Sequence, residues 1–406
     1  MVATAFSVVA AIFNPVLSSG PEGMRFNPAQ LGFFERPGFA CKLFDIGVGL
    51  DNNSFSFSQY NRYTGADLDE PAKTDILSSI PNSGVNVRAS GYGRAAEFGY
   101  GTIAVTLQTT CQAEATVPRD VLDLVLSGNE LDRPYSAEGA MAAAEVVFRS
   151  GVGAGTAIGT NGACGFSIHY LRGLYRAELT DCEASFLTTQ GKMAAAGHTA
   201  YRTATGGNGI AFAAGVAYSW RAWRFSLACL DMSPGIFWTD GVEQGELFFR
   251  LDSANAYEIA QGGRFSYEEQ LSAGEPFVTM VPIRTNLGVG RRFSDWLNGA
   301  VLVQPVWDVD PVSLREFRCG LVGEVWPLRW LPLGCEVAYQ KGRGAVLGID
   351  AALIRGRLAL TLGMSDVAGL FLGAKGAELH LGIGYATFYQ ERPKRELPFL
   401  MHAFPK

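Results

Sequence analysis

The stretch GAELHLGIGYATF, residues 376–388, decides the fold class because it alternates between two kinds of side chain. One face carries Ala377, Leu379, Leu381, Ile383 and Tyr385, and the other carries Glu378, His380, Gly382, Gly384 and Ala386. A period of two residues is typical of a β-strand whose faces meet different surroundings. The stretch therefore predicts a long strand with one apolar face and one small or polar face.

The same alternation recurs along most of the chain. Residues 345–364 contain two such runs joined at Arg355-Gly356, which indicates a hairpin. Further alternating runs lie at residues 142–151, 212–230 and 282–293. In the second run of the hairpin, Leu358, Leu360 and Leu362 share one face, which we expect to point outward.

Composition favours a membrane environment for the apolar faces. The chain of 406 residues is 48% hydrophobic but only 18% charged, with 49 glycines, so its polar faces carry few charges. Transmembrane barrel strands need roughly 9–11 residues and alternate between lipid and lumen. Five tryptophans near predicted strand ends suggest interfacial girdles: Trp220, Trp223, Trp238, Trp326 and Trp330. We therefore predict an all-β fold, a transmembrane antiparallel β-barrel of about 14 strands.

Two short helices are predicted within this strand-rich chain. Residues 67–81 begin with acidic residues and end at a proline, and residues 118–130 have Pro118 at the first position and Gly128 near the end. Such helices either plug the barrel or cover a loop, and the sequence leaves both open.

The N-terminal stretch MRFNPAQLGFF, residues 24–34, carries large apolar residues around a fixed bend. Pro28 restricts its own backbone and pushes Asn27 out of the helical region. The apolar residues are Phe26, Leu31, Phe33 and Phe34. A lumen plug would shelter them, whereas the alternative is an ordinary turn leading into the first strand at about Pro37.

One domain accounts for residues 21–406, with a plug segment at 21–36 and a C-terminal tail at 389–406. Residues 1–20 include about 13 apolar residues without a basic flank, which suggests a degenerate or truncated export signal. An N-terminal strand or a buried segment is the alternative for these residues.

No catalytic, metal or cofactor motif is found, so we expect neither enzyme activity nor a cofactor. The glycine-rich run GVGAGTAIG, residues 151–159, lacks the spacing of a nucleotide-binding loop and is interpreted as a flexible turn. Four scattered histidines and seven scattered cysteines form no metal site or disulfide framework. The net charge of −6 argues against nucleic acid as a partner.

The segment FNPAQLG, residues 26–32, resembles the N-P-A segment near the mature N-terminus of the fatty-acid-transporter superfamily of outer-membrane barrels. Residues 50–65, 76–81, 118–130, 165–179 and 231–238 extend a similarity to a family of uncharacterised outer-membrane barrels. The resemblance implies a closed barrel with its N-terminal segment folded into the lumen. The residues that it assigns to this plug, with a possible gating role, are Asn27, Pro28, Ala29 and Phe33.

The resemblance implies a location in the outer membrane of a Gram-negative-type bacterium, in contact with the lipid bilayer. The expected function is passive transport of small hydrophobic molecules, which would be the ligands. The alternative is a non-transporting scaffold or shuttle barrel with a partner in protein secretion or surface attachment. The sequence does not separate these two functions.

Overall fold

A computed structural model describes residues 13–18, 21–33, 38–254, 265–309, 312–328, 330–341, 343–365 and 375–386. Its helices are α1 (Pro21–Phe26), a 3₁₀ helix (Pro28–Phe33), α2 (Phe57–Tyr63), α3 (Glu70–Ser79) and α4 (Arg119–Ser127). The first ten strands are β1 (Phe39–Asn52), β2 (Val85–Tyr100), β3 (Ile103–Val117), β4 (Pro134–Ser136), β5 (Met141–Ile158), β6 (Gly162–Thr189), β7 (Lys192–Ala204), β8 (Gly206–Trp220), β9 (Trp223–Met232) and β10 (Ile236–Asp240). The others are β11 (Glu243–Ala254), β12 (Phe265–Ala273), β13 (Phe277–Thr279), β14 (Ile283–Arg292), β15 (Leu297–Val309), β16 (Val312–Leu328), β17 (Leu331–Gln340), β18 (Gly344–Arg355), β19 (Leu358–Ser365) and β20 (Gly376–Ala386).

Fourteen strands form a closed antiparallel barrel, as predicted. Around the ring the order is β1, β2, β3, β5, β6, β8, β9, β14, β15, β16, β17, β18, β19 and β20. The ring closes where β20 pairs with β1. Closure leaves no open sheet edge in the ring, which a lipid environment requires. Among the described residues, no helix has the length and apolarity to span a bilayer.

The two ends of the barrel differ in their connections. At one end the strands are joined by short turns, such as residues 101–102, 159–161, 221–222 and 356–357, and we call it the turn end. The opposite end, the loop end, carries α2, α3 and α4, and α3 and α4 correspond to the two helices predicted at 67–81 and 118–130. Asp69 caps α3 by accepting a hydrogen bond from the backbone of Ala72.

Side-chain facing follows the alternation read from the sequence. On β19, Leu358, Leu360 and Leu362 point outward with 49%, 41% and 59% of their surface exposed. The intervening Ala359 and Thr361 point inward and are buried, with 2% and 8% exposed. Strand β19 therefore has an apolar outer face, and its small inward side chains are buried.

The tryptophan prediction was partly wrong. Trp220 and Trp330 are exposed beside turns at the turn end, as an interfacial girdle requires. Trp238 and Trp326 are buried instead. Trp238 lies over Gly173 within an apolar cluster, and the indole of Trp326 donates to the buried carboxylate of Glu324.

Beyond the ring, part of the wall continues at the loop end as a small sheet. Residues 176–189 of β6 pair with β7, β7 pairs with β11, and β11 pairs with β12. The short strand β4 lies on the other edge of β6. This loop-end sheet exposes Phe265, Tyr267 and Leu271 of β12.

Candidate functional site

The N-terminal segment, for which the sequence predicts a plug, lies inside the barrel at the turn end. We define the plug as the described residues 13–18 and 21–33. Its apolar side chains Val16, Met24, Phe26 and Leu31 are buried against inward residues of the wall. Burial of a large apolar side chain contributes about 1.5–3 kcal/mol, so these contacts hold the plug firmly.

Asn27 is the best-anchored polar residue of the plug. It is fully buried between α1 and the 3₁₀ helix. Its Nδ2 lies 2.7 Å from Ser226 Oγ, 2.9 Å from the carbonyl oxygen of Val216 and 3.2 Å from that of Leu227. Its Oδ1 accepts a hydrogen bond from the backbone N–H of Ala29, at 2.8 Å. One amide thus joins the plug to both β8 and β9.

The other three residues assigned to the plug motif lie beside Asn27. Pro28 and Ala29 begin the 3₁₀ helix and are buried. Ala29 packs against Ala163 and Ala217, and Phe33 lies against the same cluster. The guanidinium of Arg224 stacks on the Phe33 ring at 4.2 Å. Phe34, also predicted in the plug, lies outside the described residues.

Glycines of the wall form the surface on which the plug rests, and the sequence analysis missed them. Residues 151–158 belong to β5, so the prediction of a flexible turn there was wrong. A Cβ on Gly155 would lie 2.5 Å from the backbone nitrogen of Gly32, and one on Gly165 would lie 2.2 Å from the carbonyl carbon of Pro28. Only glycine permits this close approach of two backbones. Glycines spaced two residues apart in a strand were the available signal.

Polar side chains that the sequence analysis did not single out also hold the plug. The Gln30 amide donates to the Val16 carbonyl at 2.8 Å and accepts from Arg224 at 3.0 Å. Asn14 donates to Asn298 at 2.8 Å, and Asn286 donates to the carbonyl of Phe26 at 2.8 Å. Residues 13–18, assigned to the possible export signal, thus pack in the lumen with the rest of the plug.

Two β-bulges in neighbouring strands direct charged side chains toward the plug. The pairing of β1 with β20 shifts just after Lys42, and the pairing of β2 with β3 shifts around Ala96 and Glu97. Ala96 has a φ of 53°, in the left-handed region. A bulge changes which side chains of a strand face inward. Lys42 and Glu97 are cross-strand partners, so the wall presents one cation and one anion side by side.

Helix α1 carries the complementary pair of charges. Lys42 Nζ lies 2.6 Å from Glu22 Oε1, and Arg25 pairs with the fully buried Glu97. Burial opposes the ionisation of Glu22, but the Lys42 ammonium, its hydrogen bond and nearby Arg25 outweigh it, and the pKa of Glu22 is lowered. Both ion pairs therefore join α1 of the plug to strands β1 and β2.

Above the plug lie a charged cluster and a buried apolar cluster. Arg88 lies 2.8 Å from Glu316 and 3.3 Å from Glu114. In the apolar cluster, buried residues of β5, β6, β8 and β10 surround Trp238, with Phe277 packed against them. In the part of the chain that the structure describes, no group of three or more His, Cys, Asp or Glu side chains is placed to hold a metal.

Comparison with known proteins supports the fold. Residues 39–207 match the model of a "Family of unknown function (DUF5723)". No curated protein matches the sequence. A "TodX deltaS2S3 mutant monoaromatic hydrocarbon channel" superposes with a TM-score of 0.51 at 10% identity, covering 90% of this chain and 94% of that one. For the deltaS2 mutant of the TodX channel the TM-score is 0.50 at 10% identity, with 94% and 99% covered.

A Pseudomonas aeruginosa FadL homologue gives a TM-score of 0.48 at 10% identity, with 93% of this chain and 97% of that chain covered. At such identities the likeness concerns the fold alone. The predicted resemblance holds for the fold, which the two channel structures with TM-scores of 0.51 and 0.50 share. Residues 39–207 match a family of unknown function.

Proposed function

We propose that this chain is an outer-membrane channel for small hydrophobic molecules, closed at its turn end by the plug. The observation that carries the proposal is the plug itself, a separate segment buried inside a closed wall. A barrel that serves only as a surface could fill its lumen with wall side chains, as small barrels do. A plug held by hydrogen bonds, ion pairs and apolar contacts can move without breaking the wall.

Two further observations support hydrophobic molecules as the solute. The solved structures with similar folds include a channel described as a monoaromatic hydrocarbon channel. In this chain, Leu171, Ile236 and Trp238 form an apolar patch that is 0–2% exposed and against which Phe277 packs. Apolar lining with few polar groups is the usual chemistry of a site for such ligands. Because outer-membrane barrels have short periplasmic turns, our proposal has the plugged end facing the periplasm.

Ligand binding by the purified barrel tests this proposal. We expect saturable binding of at least one radiolabelled member of a panel containing toluene, an alkane and a long-chain fatty acid, measured by equilibrium dialysis. Phe277→Asn should weaken it, because Phe277 packs against the apolar patch. The matched variant Phe265→Asn, on the exposed loop-end sheet, should leave it unchanged. Absence of saturable binding across the panel would contradict the proposal.

The second candidate is a non-transporting scaffold or shuttle barrel. The observation that favours it is the loop-end sheet, whose strand β12 exposes Phe265, Tyr267 and Leu271 together. Exposed apolar patches of this kind mark interaction surfaces. A separate crosslinking experiment in intact membranes tests this candidate. A barrel that binds no ligand in the dialysis experiment but crosslinks through β12 to one defined surface protein would support it.

A further inference from the structure

The ion pair between Arg88 and Glu316 joins opposite walls of the barrel. Arg88 lies on β2 and Glu316 on β16, and five strands separate them on one side of the ring: β17, β18, β19, β20 and β1. On the other side seven strands intervene: β3, β5, β6, β8, β9, β14 and β15. The 2.8 Å contact between their side chains therefore crosses the lumen.

This contact lies far from the plug. On β2, the plug meets Gly99 near the turn end, whereas Arg88 lies near the loop end. Eleven residues of strand at about 3.3 Å each separate these positions, or roughly 25–30 Å along the barrel axis after the usual tilt. The plug and the Arg88–Glu316 contact thus lie at different depths of the barrel.

Arg88 is held in place by its own strand neighbour. Its guanidinium also lies 3.3 Å from Glu114, its cross-strand partner on β3. One cation therefore bridges a carboxylate of the near wall and a carboxylate of the far wall. A guanidinium suits this role because its planar fork can donate to two acceptors at once.

We propose that Arg88 forms a second gate of the lumen, in series with the plug, so that a solute passes only when both have opened. The inference rests on the proposed function only in assuming that solutes pass through the lumen. It also assigns Arg88 as a residue that determines which solutes pass, since the bridge places charge in the path of an apolar molecule. Displacing the plug alone leaves the loop end closed.

Ion conductance of the full chain in planar bilayers tests the proposal without any hydrophobic ligand. The variants are a deletion of residues 13–33, Arg88→Ala, and the two combined. We expect each change alone to leave conductance near that of the parent. The combination should raise it by about tenfold or more, which corresponds to ~1.4 kcal/mol of barrier. A deletion that conducts as well as the combination would overturn the proposal.

Arg318→Ala is the matched control for Arg88→Ala. Arg318 also faces the lumen, but it pairs with Glu336 on the adjacent strand β17, at 2.7 Å, and so does not cross the lumen. Combined with the deletion, it should give the conductance of the deletion alone. Equal gains from Arg88→Ala and Arg318→Ala would show that any lost lumen charge has the same effect, and would contradict a gate at Arg88.

A crosslink keeps the proposal falsifiable if the deletion protein fails to fold. In a background without the seven native cysteines, the pair Arg88→Cys and Glu316→Cys should react with a short bifunctional maleimide within one molecule. Failure to crosslink, with each single cysteine reactive, would show that the two walls do not meet. Because neither experiment uses a hydrophobic ligand, their outcomes are independent of the ligand-binding test of the proposed function.

Discussion

At the scale of the residue, the placement of Asn27 shows why an amide suits the bend of the plug. The site offers two backbone carbonyls and one hydroxyl to Nδ2, and one backbone N–H to Oδ1. A carboxylate or an apolar side chain satisfies only part of this set. Buried polar groups that lose their partners are costly, so the identity of residue 27 matters more than its size.

Asn27→Asp should therefore loosen the plug while leaving the wall intact. The substitution removes the donor and places a charge toward two carbonyl oxygens, at a cost of about 1–3 kcal/mol or more. Hydrogen exchange followed by mass spectrometry should show faster exchange in residues 13–33 and unchanged exchange in β8 and β9. The control is Asn208→Asp, since Asn208 is exposed and bonded to Tyr170 and Arg172. Similar exchange in both variants would mean that Asn27 does not anchor the plug.

At the scale of the element, each barrel strand separates two environments with a period of two. Strand β3 shows this most simply, because Thr109 and Thr110 are adjacent near its centre. Thr109 pairs with the outward Phe148, whereas Thr110 pairs with the buried, inward Val147. The same residue type thus meets lipid at one position and the lumen at the next.

Arginine at these two positions should have unequal effects. Thr109→Arg would place a charge in the bilayer near its midplane and should cost roughly 2–4 kcal/mol of barrel stability. Thr110→Arg points toward a lumen with carboxylates on the same side and should cost much less. Urea unfolding in lipid vesicles measures both. If Thr110→Arg proved the more destabilising, the facing of β3 would be wrong.

At the scale of the whole molecule, a closed ring with an apolar exterior should behave as an integral membrane protein. We expect the protein to fractionate with the outer membrane and to migrate faster on a gel unheated than boiled. The apolar outer faces of fourteen strands are the reason, since each would be costly in water. Recovery in the soluble periplasmic fraction would contradict both the bilayer contact and the proposed location.

The fold could be predicted because the alternation of apolar and polar residues within one strand shows which side chains face lipid and which face the lumen. The alternation in residues 376–388 needs no knowledge of the partner strand, and the bend at Pro28 with its apolar neighbours is equally local. The burial of Trp238 and Trp326 could not be predicted from such local patterns. An aromatic residue near a strand end suits an interfacial girdle or a packed interior, and the choice depends on neighbours distant in sequence.

Most of the candidate site depends on contacts between distant parts of the chain. The glycines of β5 and β6 acquire their role only when residues 28–32 lie on them, more than a hundred positions upstream. Arg88 and Glu316 are 228 positions apart, and each alone resembles an ordinary charged residue on a polar strand face. The residues of the plug motif could be predicted because Pro28 gives their backbone an unusual bend. The wall residues that contact them could not be predicted, because no local pattern marks them.

The seam between β1 and β20 has a consequence for how the barrel is assembled. Ala40 pairs with Ala386, 346 positions later, so this part of the wall forms only after β20 has been synthesised. Contacts so distant in sequence form slowly, because a long loop must first be closed. The plug directly precedes β1 in the sequence and is therefore covalently attached to one of the two strands that form the seam. We therefore expect the pairing of β1 with β20 to close the barrel and enclose the plug in the same step of assembly.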